Sequence, residues 1–168
     1  GRRAEIAVAL MPGMRRLISG KTPKIGHFDD SPAVLKFVCS EALERLAALG
    51  TSCPDHFLRT KIRPLVMRFD PAEESTEVLL SRLPSAIEHY CSDYAAYYER
   101  CHHPDSPPMR DSNAVVYLIP GVGMITFGAD KTAARIAADF YINAINVMRE
   151  SCAISRYKAL PEQEAFDI

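Results

Sequence analysis

The sequence predicts an α/β fold in which a small mixed or mainly antiparallel sheet is flanked by helices. Two runs of β-branched, aromatic and apolar residues, 115–119 and 124–127, are separated by a turn with Pro120, Gly121 and Gly123, which predicts a hairpin. The first run has no polar position, as expected for a strand buried on both faces. A long helix follows, with an apolar stripe at Ala133, Ile136, Ala137, Phe140, Tyr141, Ala144, Ile145 and Met148. Helical patterns elsewhere alternate with few strand patterns, which is typical of helices packed on a small sheet.

The first part of the chain predicts one helix and a connection. Apolar periodicity indicates a helix over residues 5–18, interrupted or restarted at Pro12 and ended at Gly20. Lys21 to Lys24 then forms a basic linker. The short apolar segment 25–28 follows it.

The next part predicts short elements around a polar segment. Residues 29–32, Asp-Asp-Ser-Pro, favour a helix start, since proline is tolerated in the first helical turn. Two short helical patterns follow at 33–39 and 41–49. The polar segment 51–61 then precedes a strand at 63–69.

The remaining elements surround the hairpin. A helix or helix pair, with Pro84 near the start of its second half, extends to Cys101. Residues 102–113, rich in proline and polar residues, predict a surface loop. Asp130 is placed to cap the long helix, because its carboxylate can accept from free backbone N–H groups. A connector, 151–161, follows that helix.

Composition disfavours several classes of protein. Lys and Arg number 20 and Asp and Glu 21, so the net charge of −1 indicates neither nucleic acid nor an anionic membrane as a partner. No apolar run approaches the ~20 residues needed to span a bilayer. Five cysteines, an odd number without a Cys-x-x-Cys pair, favour reduced thiols and a cytoplasmic location. The chain, 1–168, is expected to be a single domain, and its ends predict that it is part of a longer polypeptide.

The densest cluster of reactive side chains lies in the segment 51–61. A cysteine, a carboxylate, an imidazole and two cations occur within nine residues. Arg59 and Lys61 could hold a phosphate or carboxylate while His56 moves a proton. Equally, Asp55 and Arg59 are four residues apart and could form a salt-bridged turn on a helix surface. The predicted pocket for an anion or substrate comprises His27, Asp55, His56, Arg59 and Lys61.

Other patterns in the chain carry weaker signals. Cys53 and His56 have a Cys-x-x-His spacing that could chelate zinc, but a zinc site needs three or four ligands and only distant histidines could complete it. The Pro-Gly-Val-Gly turn leads into a strand and lacks the spacing of a nucleotide-binding loop. Four tyrosines between 90 and 98 form a helical stripe, for which core packing is the default interpretation.

Several long segments resemble the middle of bifunctional class II aldolase/short-chain dehydrogenases, and the similarity covers nearly the whole chain. These segments are KIGHFDDSPAVLKFV, LAALGTSCPDHFLRTK, SDYAAYYERC, VVYLIPGVGMITFGADKTAARIAADFYINAINVMR and LPEQEAFDI. The resemblance, to the rhamnulose-1-phosphate aldolase/lactaldehyde dehydrogenase type, implies a three-layer class II aldolase-like fold preceding a Rossmann dehydrogenase domain, with a role in deoxysugar catabolism. It implies zinc and NAD in the parent protein. In such enzymes the zinc motifs lie upstream and the dinucleotide loop and Tyr-x-x-x-Lys downstream, so no cofactor or metal is expected in this segment and its catalytic residues are unknown.

The same resemblance suggests a degenerate metal site. PGVGMITFG is similar to the aldolase Gly-His-Gly element, with Val122 at the place of a ligand histidine. TSCPD is similar to the His-Thr-His-Pro-Asp element, with Thr51 and Cys53 at the two ligand places. Valine cannot ligate zinc, and one thiolate cannot replace three imidazoles. The hypothesis is an aldolase-like unit that has kept the fold and lost the metal.

Two functions follow for this segment. The first is a non-catalytic scaffold that docks the flanking aldolase and dehydrogenase domains or builds a homo-oligomer. The alternative is an autonomous enzyme domain that binds a small molecule or anion through the 51–61 cluster. A third possibility, an unrelated binding domain that uses the tyrosine-rich helix and the His-His-Pro-Asp loop, is disfavoured by the length of the resemblance.

Overall fold

The secondary structure was obtained from a computed structural model, which describes residues 1–20 and 22–168. Lys21, the first residue of the predicted basic linker, lies outside the described residues. The elements in chain order are α1 (Arg2–Ile18), β1 (Ile25–Asp29), α2 (Pro32–Val38), α3 (Leu43–Leu49), α4 (Pro54–Thr60), β2 (Leu65–Val66), α5 (Thr76–Cys101), β3 (Val116–Ile119), β4 (Gly123–Gly128), α6 (Lys131–Ile154) and α7 (Glu162–Phe166).

The four strands form one mixed sheet in the order β1-β4-β3-β2. Strand β4 pairs antiparallel with both β1 and β3, whereas β2 runs parallel to β3, with Leu65 beside Tyr117. This topology confirms the predicted α/β fold with a small mixed sheet. The sequence indicated only an apolar segment where β1 forms, because β1 owes its identity as a strand to its pairing with β4, about 100 residues later in the chain.

The hairpin turn explains the predicted glycines. The backbone N–H of Val122 donates to the carbonyl oxygen of Ile119 at 3.0 Å, which closes a four-residue turn. Gly121 occupies the third position of that turn with φ 70°. Proline at the second position and a positive φ at the third are the features of a type II turn, and a side chain at the third position would be strained.

The sheet is buried on both faces, as the apolar strand run predicted. On one face, Tyr117, Ile119, Ile125 and Phe127 pack in one core with α1 and α5. On the other face lies a second core with α2, α3 and α6, and it contains Val116, Leu118 and Met124. Helices, sheet and helices therefore form three layers, as the resemblance implied.

The long helix α6 turns a slightly different face to the sheet than its apolar stripe predicted. Ala133 is exposed and Phe140 only partly buried, while Ala134 and Ala138 are buried. The helix axis is fixed by a tertiary contact, since the hydroxyl of Thr126 donates to the carbonyl oxygen of Ala134 at 2.7 Å. Ala134 and Ala138 face the sheet, because the backbone of α6 approaches β4 closely at this contact.

Two other elements differ in extent from their predictions. The strand expected at 63–69 is reduced to Leu65–Val66, because only these two residues pair with β3. The region around Pro84 is one continuous helix, α5, and the proline ring lies on its exposed surface. None of the helices in residues 1–20 and 22–168 combines the length and hydropathy required of a bilayer-crossing segment.

Replacing Asp130 with alanine is expected to lower the free energy of unfolding by about 1 kcal/mol. The Asp130 carboxylate accepts from the backbone N–H of Ala133 at 2.7 Å, and alanine leaves that donor without a protein partner. Urea denaturation would measure the loss, with Asp130→Asn as the matched control because asparagine keeps the acceptor. Equal losses in the two variants would contradict a capping role.

Candidate functional site

A cavity of about 750 Å³ opens at the end of the sheet where β3 begins and β4 ends. Its walls come from the α1–β1 connection, from α4 and the residues after it, from the C-terminal half of α5 with the following loop, and from α7. Polar and charged side chains lining it include Lys24, Arg59, Lys61, Tyr94, Tyr97, Arg110, Asp111 and Asn113. These residues come from four separate segments of the chain.

Lys61 has an unusual backbone conformation. It directly follows α4 with φ 61° and ψ 171°, and among the described residues it is the one non-glycine residue with positive φ. This region of conformational space is occupied almost only by glycine and costs a side-chain-bearing residue roughly 1–3 kcal/mol. The hydroxyl of Thr60 donates to the carbonyl oxygen of Lys61 at 2.8 Å, and this hydrogen bond helps to hold the strained conformation. Such strain persists most often at functional sites.

The ammonium group of Lys61 lies in the cavity wall without a carboxylate partner. It donates to the backbone carbonyl oxygen of Asp111 and lies 3.8 Å from the centre of the Tyr94 ring. No carboxylate of the described residues lies within 4 Å of it. Burial lowers the pKa of Lys61 to about 8, the nearby Asp111 opposes this, and Lys24 adds to it.

The Asp111 carboxylate is already engaged elsewhere. It accepts from the backbone N–H and the side-chain amide of Asn113 at 3.0 and 2.8 Å, and it pairs with the Lys24 ammonium at 3.1 Å. Burial alone would raise the pKa of Asp111, but the bonds from Asn113 and Lys24 hold it below its ordinary value. Asp111 therefore stays ionised and neutralises Lys24 instead of Lys61.

The remaining charges leave the cavity with an excess of cations. Arg59 and Arg110 form no ion pair with the described residues, and both line the cavity. Besides Asp111, two carboxylates line the cavity. Asp167 accepts from His103 at 2.9 Å, whereas Asp105 forms no ion pair with the described residues. Among the described side chains that line the cavity, three cations without an ion-pair partner thus face one such carboxylate, which favours an anionic ligand.

Aromatic rings form the other wall. The Phe166 ring of α7 lies 5.7 Å from the ring of Tyr97 and 5.8 Å from that of Tyr98. The hydroxyl of Tyr98 donates to the carbonyl oxygen of Pro107, whereas burial raises the pKa of Tyr97 and keeps its hydroxyl protonated. Core packing was the default interpretation of the tyrosine stripe, yet Tyr94, Tyr97 and Tyr98 line the cavity.

The predicted pocket residues do not all come together. Arg59 and Lys61 line the cavity, but Asp55 is exposed and does not line it. The ring centre of His56 lies 6.1 Å from that of Phe140. Burial lowers the pKa of this imidazole, and the nearby Asp55 carboxylate partly opposes that shift.

The predicted pocket also included His27, which lies away from the cavity. It pairs with Thr126 in the sheet and so shares the face that α6 covers.

Sequence reasoning missed Lys24, Tyr94, Arg110 and Asp111 as members of the site. The available signal was the run Arg-Asp-Ser-Asn at 110–113, in which an aspartate can accept from the backbone two residues later. Nothing in the sequence placed this run beside Lys61, which lies 50 residues earlier than Asp111.

The three residues at the places of metal ligands, Thr51, Cys53 and Val122, do not lie together: two are at one end of the sheet and one is at the other. The backbone N–H of Thr51 donates to the carbonyl oxygen of Ile62, just before β2, and Cys53 precedes α4. Since β2 is parallel to β3, these residues lie near the start of β3, whereas Val122 follows its end. Nowhere in the described chain do three or more His, Cys, Asp or Glu side chains group as metal ligands. These places do not fit a zinc ion, and the expectation that the segment holds no metal stays a prediction.

The three-layer fold is that of a class II aldolase-like domain. The model of the family described as "Aldolase class II, second domain" matches residues 5–168, so the chain belongs to this family. This family assignment confirms the class II aldolase part of the resemblance.

Two individual proteins are similar to the chain. An uncharacterized oxidoreductase, YuxG of Bacillus subtilis, is 31% identical over 167 residues, which are 99% of this chain and 24% of YuxG. The crystal structure of YgbL from Escherichia coli, provisionally described as an aldolase/epimerase/decarboxylase, matches with a TM-score of 0.62. That match has 12% identity, spans 97% of this chain and 65% of YgbL, and supports the fold alone. The chain thus spans about a quarter of the length of its relative YuxG.

Proposed function

We propose that this domain binds an anionic small molecule of the sugar-phosphate class in the cavity around Lys61. The observation that carries the proposal is the half-buried Lys61 ammonium, which has a strained backbone and no carboxylate partner. A buried charge without a partner is costly, and a phosphate or carboxylate placed against it would offset that cost. The structure thus supports the alternative that uses the 51–61 cluster, through Arg59 and Lys61.

The cavity supplies complementary groups for each part of such a ligand. Its volume of about 750 Å³ falls in the range of small-molecule pockets. The guanidinium groups of Arg59 and Arg110 can bind two oxygens of a phosphate at once, while Lys61 acts as a point charge. The rings of Tyr97 and Phe166 can cover the carbon skeleton, with the Tyr97 hydroxyl as a hydrogen-bond donor.

The parent protein is proposed to be a bifunctional sugar-phosphate aldolase and NAD-dependent short-chain dehydrogenase of carbohydrate catabolism, of the rhamnulose-1-phosphate type. Support comes from the class II aldolase family of this domain and from the description of YuxG as an oxidoreductase. Zinc and NAD would be bound by the flanking aldolase and dehydrogenase domains. This segment would contribute a binding cavity, and no catalytic residue is assigned within it.

A second function, docking of the flanking domains or of another copy of the chain, is favoured by exposed apolar side chains. Val8 on α1 is 72% exposed and Ile154 at the end of α6 is 88% exposed. Both lie on outer helices, where a neighbouring domain could cover them. Docking and ligand binding use different surfaces and are compatible.

Replacing Lys61 with methionine is expected to weaken binding of inorganic phosphate and of dihydroxyacetone phosphate at least tenfold. Methionine keeps most of the apolar stem and removes the charge, and tenfold corresponds to about 1.4 kcal/mol. Isothermal titration calorimetry would measure both ligands. Wild-type affinity should fall as the pH rises through about 8, because the ammonium then loses its proton.

The matched control is Lys158→Met, since Lys158 is exposed and does not line the cavity. This variant should bind like the wild type. Unchanged phosphate affinity in the Lys61 variant, with the fold intact by circular dichroism, would refute the proposed function.

A further inference from the structure

The side chain of Lys61 can act as a nucleophile when its amine is neutral, as well as bind an anion when it is protonated. We infer, on the basis of the proposed function, that Lys61 forms an imine with the carbonyl carbon of a phosphorylated aldose or ketose bound in the cavity. The family description and the named relatives assign no such covalent step.

The position of the amine favours attack on a ligand. Its nitrogen contacts one acceptor, the Asp111 carbonyl oxygen, and the face of the Tyr94 ring. An ion pair with a carboxylate would hold the proton on the nitrogen, but none of the described residues provides one within 4 Å. The strained conformation at Lys61 also fixes the starting direction of its side chain.

The amine is also available in its neutral form. Only a neutral amine has the lone pair needed for attack on a carbonyl group. With a pKa of about 8, about a tenth of Lys61 is neutral at pH 7, compared with roughly one part in three thousand for an ordinary lysine. The structure therefore raises the reactive fraction by orders of magnitude over that of an exposed lysine.

The neighbouring lysine provides a contrast within the same cavity. Lys24 lies 3.1 Å from the Asp111 carboxylate and forms an ion pair with it, whereas Lys61 has no such partner among the described residues. The two lysines share one aspartate but contact different atoms of it. Lys24 contacts the carboxylate and Lys61 the backbone carbonyl oxygen.

The phosphate of the ligand would place its carbonyl group. Arg59 and Arg110, both without ion-pair partners among the described residues, can hold the phosphate in the same cavity. A ligand bound at one end in this way presents its carbonyl carbon to the amine as an intramolecular reactant, and such placement greatly raises the rate. An aldehyde without a phosphate lacks this advantage.

The reaction balances without a metal or an oxidant. The Lys61 nitrogen attacks the carbonyl carbon, the carbonyl oxygen takes a proton from water, and the nitrogen returns one proton to water. The resulting hydroxyl group then leaves as water after protonation, while the nitrogen lone pair forms the C=N bond. One water is released for each imine, and the protonated imine keeps a positive charge over the Tyr94 ring.

The test is reductive trapping with D-glyceraldehyde 3-phosphate and sodium cyanoborohydride, which reduces an imine to a stable secondary amine. Intact mass spectrometry would count adducts, and peptide mapping would locate them. We expect one adduct per chain, on Lys61, formed at least tenfold faster than on any other lysine. Inorganic phosphate should slow its formation, and glyceraldehyde without the phosphate should react more slowly. Lys61→Arg should remove this adduct, whereas Lys158→Arg should leave it in place.

The outcomes separate this inference from the proposed function. If wild-type protein binds phosphate but forms no adduct, or adducts spread evenly over its lysines, the imine is refuted and the anion site remains. If it neither binds phosphate nor forms an adduct, both are refuted. An adduct on Lys61 that phosphate does not slow would overturn the phosphate-guided reaction.

Discussion

Replacing Lys61 with glycine is expected to stabilise the fold by about 1–2 kcal/mol while weakening anion binding as strongly as Lys61→Met does. Glycine adopts φ 61° and ψ 171° freely, so the roughly 1–3 kcal/mol of backbone strain is removed. The half-buried ammonium and its desolvation are removed as well. Against this, glycine makes the unfolded chain more flexible, at a cost of about 0.4–1 kcal/mol. Relief of the backbone strain outweighs this entropic cost, so the net effect on the fold is stabilising.

Lys61→Ala is the control that isolates the backbone. Alanine also removes the ammonium but keeps the strained conformation, so the glycine variant should be the more stable of the two in urea denaturation. At most positions glycine is less stable than alanine. If that ordinary order is found here, Lys61 is not strained and this argument for a functional site fails.

The pH dependence of stability gives an independent check on Lys61. Its pKa is about 8 in the folded chain and about 10.5 in the unfolded chain. Between these values the unfolded chain binds more protons, so the wild type should become more stable as the pH rises from 8 to 10.5. Below pH 8 both states are protonated and this contribution becomes constant. The Lys61→Gly variant should lack this rise, when the two stability profiles are compared.

Replacing Gly123 with alanine is expected to destabilise the fold by at least ~3 kcal/mol. Gly123 begins β4 with φ 146°, which is unfavourable for any residue with a side chain. A Cβ atom there would lie 2.5 Å from the carbonyl oxygen of Asp29 and 3.0 Å from the Phe28 ring. Backbone cannot move away without disturbing the pairing of β1 with β4, which fixes Asp29 beside Met124. Thermal and urea unfolding would measure the loss.

Gly13→Ala is the matched control, because the same methyl group is added in a different place. Gly13 lies inside α1, and its Cβ would meet the Leu80 side chain at an ordinary 3.5 Å. Alanine in a helix is more stable than glycine by about 0.5–1 kcal/mol, so this variant should be stabilised. Similar effects of both substitutions would show that the β1–β4 contact at Gly123 tolerates a side chain.

Local sequence signals predicted the centre of the fold. The hairpin of β3 and β4, its proline-glycine turn and the capping of α6 by Asp130 all appear as expected. Each depends on residues within a few positions of one another. Turn and cap preferences are properties of the local backbone, so they can be recognised without knowledge of the tertiary structure.

Elements that depend on distant partners were not predictable in the same way. Strand β1 contains Gly26 and a histidine, and it is a strand because β4 lies beside it. The strand expected at 63–69 is limited to Leu65 and Val66, which pair in register with β3, and only the backbone N–H of Met67 beyond them still donates to Leu118. Strand propensity mainly reflects packing against neighbouring strands, and one sequence does not reveal these neighbours.

The candidate site shows the same division. By itself, the sequence determined the α/β class, the buried hairpin with its covering helix, and a cluster of cations that includes Arg59 and Lys61. The tertiary structure alone decided that the Asp111 carbonyl oxygen and the Tyr94 ring meet the Lys61 ammonium, and that His27 and His56 lie elsewhere. Desolvation and charge pairing depend on distances between side chains far apart in the chain, so the environment that lowers the pKa of Lys61 exists only once the chain has folded.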